Sequence, residues 1–171
     1  MILVRHAESE WNRLFSRTRV DPGIRDPALT DVGRDQAEAL VERIAALGVR
    51  RLIASPYRRT LETASTVAAA LHLPIEIEPV VRERCVFSCD IGTPASRLKT
   101  LWPGLDFQGL EEFWWGEAEE SEARLADRAS RFRRRADAER DPDRVAVITH
   151  WGFIRALTGE EVANAAFVRL R

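Results

Sequence analysis

Hydrophobic and polar residues follow two different periods along this chain. Short runs rich in branched apolar residues predict five strands, at residues 1–4, 51–54, 75–77, 145–149 and 167–170. Longer stretches with apolar residues three or four positions apart predict helices at residues 31–47, 59–71, 120–139 and 153–157. Strands that alternate with helices are typical of an α/β fold. The pattern therefore predicts a three-layer sandwich, with a mostly parallel central sheet and helices on both faces.

Residues at two helix boundaries support this reading. Thr30 precedes the helix predicted at 31–47, where its hydroxyl can cap the free backbone N–H groups, and Gly48 is a suitable C-terminal stop. Residues from about 80 to 116 are less regular and are interrupted by several glycines and prolines. The stretch is long for a loop in a compact domain, which favours a partial lid over a site. We interpret residues 1–171 as a single domain carrying this lid.

Composition limits the classes of partner. The chain is 45% hydrophobic and 31% charged, with a net charge of −1, as in an ordinary globular protein. Nothing in this balance attracts the whole molecule to nucleic acid or to an anionic membrane. No basic segment leads into a long apolar stretch at the N-terminus, and none of the apolar runs approaches the roughly 18 residues of a membrane span. We expect a cytoplasmic protein with neither nucleic-acid nor membrane partners; its oligomeric state does not follow from the sequence.

Two cysteines, Cys85 and Cys89, lie four positions apart. A four-ligand zinc site would need further Cys or His residues close by, and none is evident. We therefore interpret both thiols as reduced and structural, with a redox role as the alternative, and we expect neither a metal nor a cofactor.

Candidate chemistry begins at the ends of two predicted strands. The first strand leads directly into Arg5 and His6, and the strand at 145–149 leads into His150. Open α/β folds bind ligands at the carboxyl edge of the sheet, so the two imidazoles and the guanidinium can converge there on a phosphate. The alternative is that each histidine is merely a polar strand terminus. Two such placements among only three histidines favour convergence.

Four blocks of the sequence, in order, resemble a known family. RHAESEWN at residues 5–12 resembles RHGxTxxN, the signature of the histidine phosphatase superfamily, which includes the phosphoglycerate mutases; Ala7 replaces the glycine and Ser9 the threonine. DPALTDVGRDQA at 26–37 resembles PLTxxGxxQA, and SPYRRTLETA at 55–64 resembles SxxxRAxQTA. VITHWGFIRALTG at 147–159 resembles the segment around the second catalytic histidine, with Trp151 where glycine often follows the histidine.

The resemblance implies a metal-independent phosphatase that acts on a small phosphorylated metabolite. His6 would be the nucleophile that forms a phosphohistidine, with His150 as the second catalytic histidine. The phosphate would be bound by four residues: Arg5, Asn12, Arg59 and Ser9. Arginine forks suit phosphate oxygens, and nearby guanidinium charges keep an attacking imidazole neutral. The second nitrogen of His6 should donate to a backbone carbonyl, which fixes the tautomer.

The resemblance also assigns a proton donor. Glu83, in VVRERC after the third predicted strand, stands where the phosphoglycerate mutase-like branch keeps its acid. That branch often has glycine four residues later, where this chain has Phe87. Glu83 can instead be a surface partner of Arg82 or Arg84. A carboxylic acid protonates a leaving alkoxide if its pKa is raised by a dry site or by negative charge.

Each remaining assignment has an alternative. Arg5 can pair with a carboxylate, Asn12 can cap a helix, Ser9 can be a helix-start hydroxyl, and Arg59 can lie on the surface. Trp114 and the aromatic residues near it can pack in the core or in the lid. If the lid reaches the pocket, the candidates for contacting the substrate beyond its phosphate are Arg82, Arg84 and Trp114.

Two other functions compete with the phosphatase. A mutase would use the same nucleophile but return the phosphoryl group to a sugar acid before water intervenes. A phosphoprotein-binding or phosphoprotein phosphatase module would direct the same pocket to a protein. The presence of every candidate reactive residue argues against a module that has lost catalysis.

Overall fold

A computed structural model of the protein describes residues 1–116 and 119–170. The central sheet contains five strands: β1 (Ile2–Arg5), β2 (Arg51–Ala54), β3 (Ile75–Ile77), β4 (Val145–Thr149) and β5 (Phe167–Arg169). Their spatial order is β3-β2-β4-β1-β5. The first four are parallel, and β5 pairs with β1 in the antiparallel direction. The predicted mostly parallel sheet is confirmed.

Six α-helices accompany the sheet in the described residues: α1 (Glu10–Thr18), α2 (Asp31–Ala46), α3 (Arg58–Leu71), α4 (Ala95–Leu101), α5 (Glu122–Asp137) and α6 (Trp151–Thr158). Short 3₁₀ turns occur at Pro79–Val81, Ser88–Asp90 and Pro142–Arg144. Of the helices described, none combines the length and the apolar character that crossing a membrane would require.

The strands bury both of their faces, which separates two hydrophobic clusters. Ile2 and Val4 of β1 belong to the cluster that contains the apolar residues of α2 and α3. Leu3, between them, belongs to the cluster formed with α5 and α6. Successive side chains of a strand point to opposite faces, so this alternation places helices on both sides of the sheet. The predicted three-layer arrangement is confirmed.

Two helices lie in regions where the apolar pattern did not predict them. Ser9 caps the N-terminus of helix α1: its hydroxyl accepts the backbone N–H of Asn12, and the Asn12 side chain accepts the backbone N–H of Ser9. This reciprocal cap supports a short helix. Helix α4 occupies seven residues of the stretch that we interpreted as irregular.

Strand register sets the position of the site. Arg5 of β1 is level with Thr149 of β4, and Ala54 of β2 is level with Ile148 of the same strand. The three adjacent parallel strands therefore end together at one edge of the sheet. Their next residues, which include His6 and His150, emerge side by side.

Candidate active site

His6 lines a cavity of about 740 Å³. The residue is 3% exposed, and its Nδ1 lies 2.7 Å from the carbonyl oxygen of Ala7. A carbonyl oxygen only accepts hydrogen bonds, so Nδ1 must carry the proton and Nε2 keeps its lone pair. The backbone-carbonyl partner predicted for His6 is therefore present. The arrangement provides a neutral imidazole with an available nucleophilic nitrogen.

His150 lies next to His6, with 5.2 Å between the ring centroids. Its Nε2 is 2.9 Å from the Ser55 hydroxyl oxygen, while its buried Nδ1 has no hydrogen-bond partner in the described part of the chain. If the Ser55 hydroxyl donates to Nε2, Nδ1 carries a proton that can be donated to a phosphate oxygen. This role of Ser55 was not predicted from the sequence. The available signal was its position directly after β2.

Two arginines line the same cavity. Arg5 donates from Nη1 to the Val162 carbonyl oxygen at 2.9 Å, and no carboxylate lies within ion-pair distance of it among residues 1–116 and 119–170. Its buried Nε has no hydrogen-bond partner within those residues. Arg59 is only 3% exposed and is held through Nη1 by the Cys89 carbonyl and through Nη2 by the Asp90 carboxylate. Arg59 therefore belongs to the interior of the site and not to the surface.

Burial and positive charge together control protonation of the histidines. Burial, followed by the charges of Arg59 and Arg5, lowers the pKa of His6 well below its ordinary value. Burial and Arg59 lower the pKa of His150 in the same direction. Both imidazoles are therefore neutral at pH 7, the protonation state that nucleophilic attack requires.

Glu83 also lines this cavity. Its Oε1 accepts the backbone N–H of Arg84 at 2.8 Å, and its Oε2 accepts that of Gly152 at 3.1 Å. Burial, then the negative charge of Asp90, raises the pKa of the Glu83 carboxyl. A raised pKa favours the protonated acid, the form that can supply a proton.

The side chains of the arginines beside Glu83 pair elsewhere. Arg82 contacts Glu120, and Arg84 contacts Glu122. Glu83 is thus not the surface ion-pair partner considered as an alternative. Arg84 lines the cavity, as expected for a candidate substrate contact, whereas Arg82 points to Glu120 instead.

Asn12 and Ser9 occupy different positions relative to the cavity. Asn12 lines it, and its Oδ1 accepts hydrogen bonds from Ser9 and from Nδ2 of Asn164. This arrangement directs both acceptor positions of Asn12 into the protein and leaves its amide N–H groups for a ligand. Ser9 is 1% exposed and caps α1. The structure places Ser9 behind Asn12, not among the residues that line the cavity.

Aromatic side chains form one wall of the cavity. Trp11 and Phe15 stack with ring centroids 4.3 Å apart, and Phe87 packs against both. Trp151, which follows His150, also lines the cavity. Trp114 does not; it is 6% exposed, packs on Tyr57 and donates to the Thr93 carbonyl. Trp114, a candidate for substrate contact in the sequence, therefore packs in the interior and does not line the cavity.

Both cysteines are free thiols. Cys89 is buried, and burial raises the pKa of its thiol. In the described residues, no group of three or more His, Cys, Asp and Glu side chains is arranged to hold a metal ion.

Comparisons with known proteins agree with the geometry of the candidate active site. Residues 1–166 match the family model described as histidine phosphatase superfamily (branch 1). A probable phosphoglycerate mutase GpmB from Enterobacter sp. (strain 638) is 40% identical over 81 residues, covering 47% of this chain and 36% of that protein. Phosphoserine phosphatase 1 from Hydrogenobacter thermophilus is 32% identical over 105 residues, covering 61% of this chain and 42% of that protein. The matched segments thus span less than half the length of these relatives.

Solved structures share the fold at lower sequence identity. A mycobacterial glucosyl-3-phosphoglycerate phosphatase superposes with a TM-score of 0.66 at 20% identity, covering 98% of this chain and 87% of that chain. A phosphoserine phosphatase from Entamoeba histolytica gives a TM-score of 0.65 at 18% identity, covering 97% and 86%. Taken with the family match over residues 1–166, these comparisons lead to one assignment: the chain belongs to the histidine phosphatase superfamily, branch 1.

Proposed function

We propose that this protein is a metal-independent phosphatase that hydrolyses small phosphate monoesters through a phosphohistidine on His6. The observation that carries the proposal is the hydrogen bond from His6 Nδ1 to the Ala7 carbonyl, because it leaves the Nε2 lone pair free in a cavity that Arg5 and Arg59 also line. Phosphoryl transfer depends mainly on positioning and on stabilising charge on the phosphate oxygens. The two guanidiniums and the two histidines supply both requirements.

In the first step, Nε2 of His6 attacks phosphorus and the bond from phosphorus to the ester oxygen breaks. Arg5, Arg59, His150 and the Asn12 amide donate hydrogen bonds to the phosphate oxygens. The departing alkoxide takes the proton of the Glu83 carboxyl, so the products are a free alcohol, a phosphohistidine and a Glu83 carboxylate.

In the second step, water attacks the phosphohistidine. The Glu83 carboxylate takes one proton from that water as the new bond to phosphorus forms and the bond to His6 breaks. Inorganic phosphate leaves, and both His6 and Glu83 return to their initial states. One carboxyl group therefore acts as acid and then as base.

The names of similar proteins support a small metabolite as the substrate. The phosphatases named above act, by their names, on phosphoserine and on glucosyl-3-phosphoglycerate. A cavity of about 740 Å³ with one aromatic wall has room for a leaving group of this general size. We propose a small phosphorylated alcohol and leave its identity to the following assay.

The assay measures phosphate release from phosphorylated sugars, sugar acids, nucleotides and phosphopeptides, for the unmodified protein and for His6→Ala. We expect hydrolysis of at least one small monoester, and none by the variant despite an unchanged circular dichroism spectrum. His72→Asn is the matched control because His72 is exposed at the end of α3, and it should retain full turnover. Substantial turnover by His6→Ala would exclude the assigned nucleophile.

Phosphoglycerate mutase activity is the second candidate because several curated relatives are named as probable mutases. A mutase passes the phosphoryl group from His6 back to a sugar acid, whereas the proposed phosphatase passes it to water. Incubation with 3-phosphoglycerate separates the two. Formation of 2-phosphoglycerate without inorganic phosphate would favour the mutase over the phosphatase.

A further inference from the structure

Helix α5 carries an arginine in its core-facing stripe. Its buried residues are Leu125, Arg128, Ala129, Phe132 and Ala136. Arg128 is 1% exposed, while Arg124, Arg131, Arg134 and Arg135 of the same helix are exposed. A guanidinium is rarely buried to this extent unless its charge and its donors are all paired.

All five N–H donors of Arg128 have acceptors. Nε and Nη2 donate to the two carboxylate oxygens of Glu120, which balances the charge. Nη1 donates to the carbonyl oxygens of Val80 at 2.8 Å and Arg82 at 2.7 Å, and Nη2 also donates to that of Glu83 at 3.3 Å. The guanidinium therefore binds the backbone that carries the candidate proton donor.

The Val81 carbonyl, which Arg128 does not contact, accepts a hydrogen bond from a different side chain. Thr149 Oγ1 donates to the Val81 carbonyl oxygen at 2.6 Å. Four consecutive carbonyls, from residue 80 to residue 83, are thus held by side chains, three of them by Arg128. This segment lies beyond the sheet and contains only the end of a 3₁₀ turn, so no strand ladder fixes it.

Arg128 also contacts the element on the other side of Glu83. Its guanidinium lies 5.2 Å from the ring centroid of Phe153 in α6. The N-terminal turn of α6 supplies the Gly152 N–H that binds Glu83 Oε2. One side chain therefore contacts both the backbone of Glu83 and the helix that orients its carboxyl.

We propose that Arg128, neutralised by Glu120, is a positioning residue that holds Glu83 where it can protonate the leaving group. The inference rests on the proposed phosphatase function. Lysine keeps the charge but has one nitrogen in place of a planar fork, so it cannot bond three carbonyls and a carboxylate together. Arg128→Lys should therefore displace Glu83 while leaving the phosphate-binding residues in place.

Leaving-group dependence distinguishes this role from a general structural one. 4-Nitrophenyl phosphate releases a weakly basic phenolate that needs little protonation, whereas phosphoserine releases an alkoxide that needs a proton donor. For Arg128→Lys we expect kcat/KM to fall about 10²-fold with phosphoserine, the scale of a misplaced catalytic group. With 4-nitrophenyl phosphate kcat/KM should change little. Glu83→Gln should show the same substrate pattern.

Arg131→Lys is the matched control, because Arg131 is exposed on the same helix and pairs with Asp127. It should leave both substrates unaffected. Thr149→Val, which removes the donor to the Val81 carbonyl, should show a smaller loss with the same substrate preference and serves if Arg128→Lys does not fold. Equal losses on both substrates, or no loss on either, would overturn the positioning role. Failure of the unmodified protein to hydrolyse any of the small phosphate monoesters screened would instead count against the proposed function.

Discussion

Gly152 of α6 is in direct contact with the candidate proton donor. Its backbone N–H binds Glu83 Oε2, and a Cβ at this position would overlap Glu83 Oε1. The overlapping atom is the end of a flexible side chain, so relief comes from movement of the carboxyl and not of the helix. A side chain at residue 152 would thus displace the carboxyl of the candidate proton donor.

Gly152→Ala should lower kcat/KM for an alkyl phosphate by about 10²-fold, because the Glu83 carboxyl is displaced. Alanine also has the higher helix propensity, by about 1 kcal/mol, which offsets part of the cost to stability. Steady-state kinetics and thermal unfolding measure the two effects separately. Gly104→Ala is the control, since a Cβ there would meet no atom of the described residues within 4 Å. An active Gly152→Ala enzyme would show that Glu83 need not occupy the observed position.

The pKa shifts of His6 and Glu83 predict a pH window for catalysis. His6 must be neutral to attack, and its pKa lies well below 6.5, so activity is lost only when the pH falls through that lowered value. Glu83 must be protonated, and its pKa is raised above 4.5, so activity is lost as the pH rises through the raised value. The kcat/KM profile for an alkyl phosphate should be bell-shaped. Glu83→Gln should remove the alkaline limb; an unchanged limb would assign it to another group.

The residue that caps helix α1 also contacts Asn12, which lines the candidate active-site cavity. The Ser9 hydroxyl accepts the Asn12 backbone N–H and also contacts Asn12 Oδ1 at 3.0 Å. Loss of a serine cap costs roughly 1 kcal/mol of stability. We expect Ser9→Ala to lower the free energy of unfolding by about 1 kcal/mol and Ser9→Thr to preserve it, as measured by urea denaturation. A large loss of inorganic phosphate binding by Ser9→Ala at unchanged stability would instead indicate a direct phosphate contact.

At the level of elements, the spacing of apolar residues predicted the strands and helices that bury a complete face. The strand at 145–149 has five buried residues in succession, and α2 has regularly spaced apolar positions, so both were evident in the sequence. Helix α1 buries only Trp11 and turns its other aromatic residue toward the cavity, which leaves a weak helical pattern. Helix α4 is seven residues long and lies among glycines and prolines. Local pattern is insufficient where an element packs on a site or spans barely two turns.

At the level of the whole molecule, the positions of His6 and His150 were predictable because parallel strands end at one edge of a sheet. The partners that orient them were not. Ser55 and Asn164 contact His150 and the His6 carbonyl across 95 and 158 positions of sequence. Arg128 was concealed among the exposed arginines of α5. Only its spacing of three from Leu125 and four from Phe132 marked it as a core position.

The assembled site also makes the stability of the whole protein depend on pH. His6 and His150 are buried and neutral, each with a pKa lowered first by burial and then by Arg59. Below pH 6.5 the unfolded chain binds protons at these two histidines that the folded protein does not. Their contribution to stability is therefore present above pH 6.5 and is lost as the pH falls toward the folded pKa values. Glu83, whose pKa is raised, contributes in the opposite sense: its stabilisation is present at low pH and is lost as the pH rises through the raised value.

We expect the free energy of unfolding to fall as the pH is lowered from 7 to 5, with each buried histidine contributing a slope of up to about 1.4 kcal/mol per pH unit. His6→Asn removes one titrating group while keeping a polar side chain of similar shape. The free energy of unfolding of this variant should therefore change less steeply with pH, by up to about 1.4 kcal/mol per pH unit, the contribution of one proton. Urea denaturation at half-unit pH intervals measures both slopes. Because linkage depends only on the difference in bound protons, this test requires no substrate. Identical slopes for the two proteins would mean that His6 titrates alike in the folded and unfolded states, and the neutral nucleophile assigned to the site would then lose its physical basis.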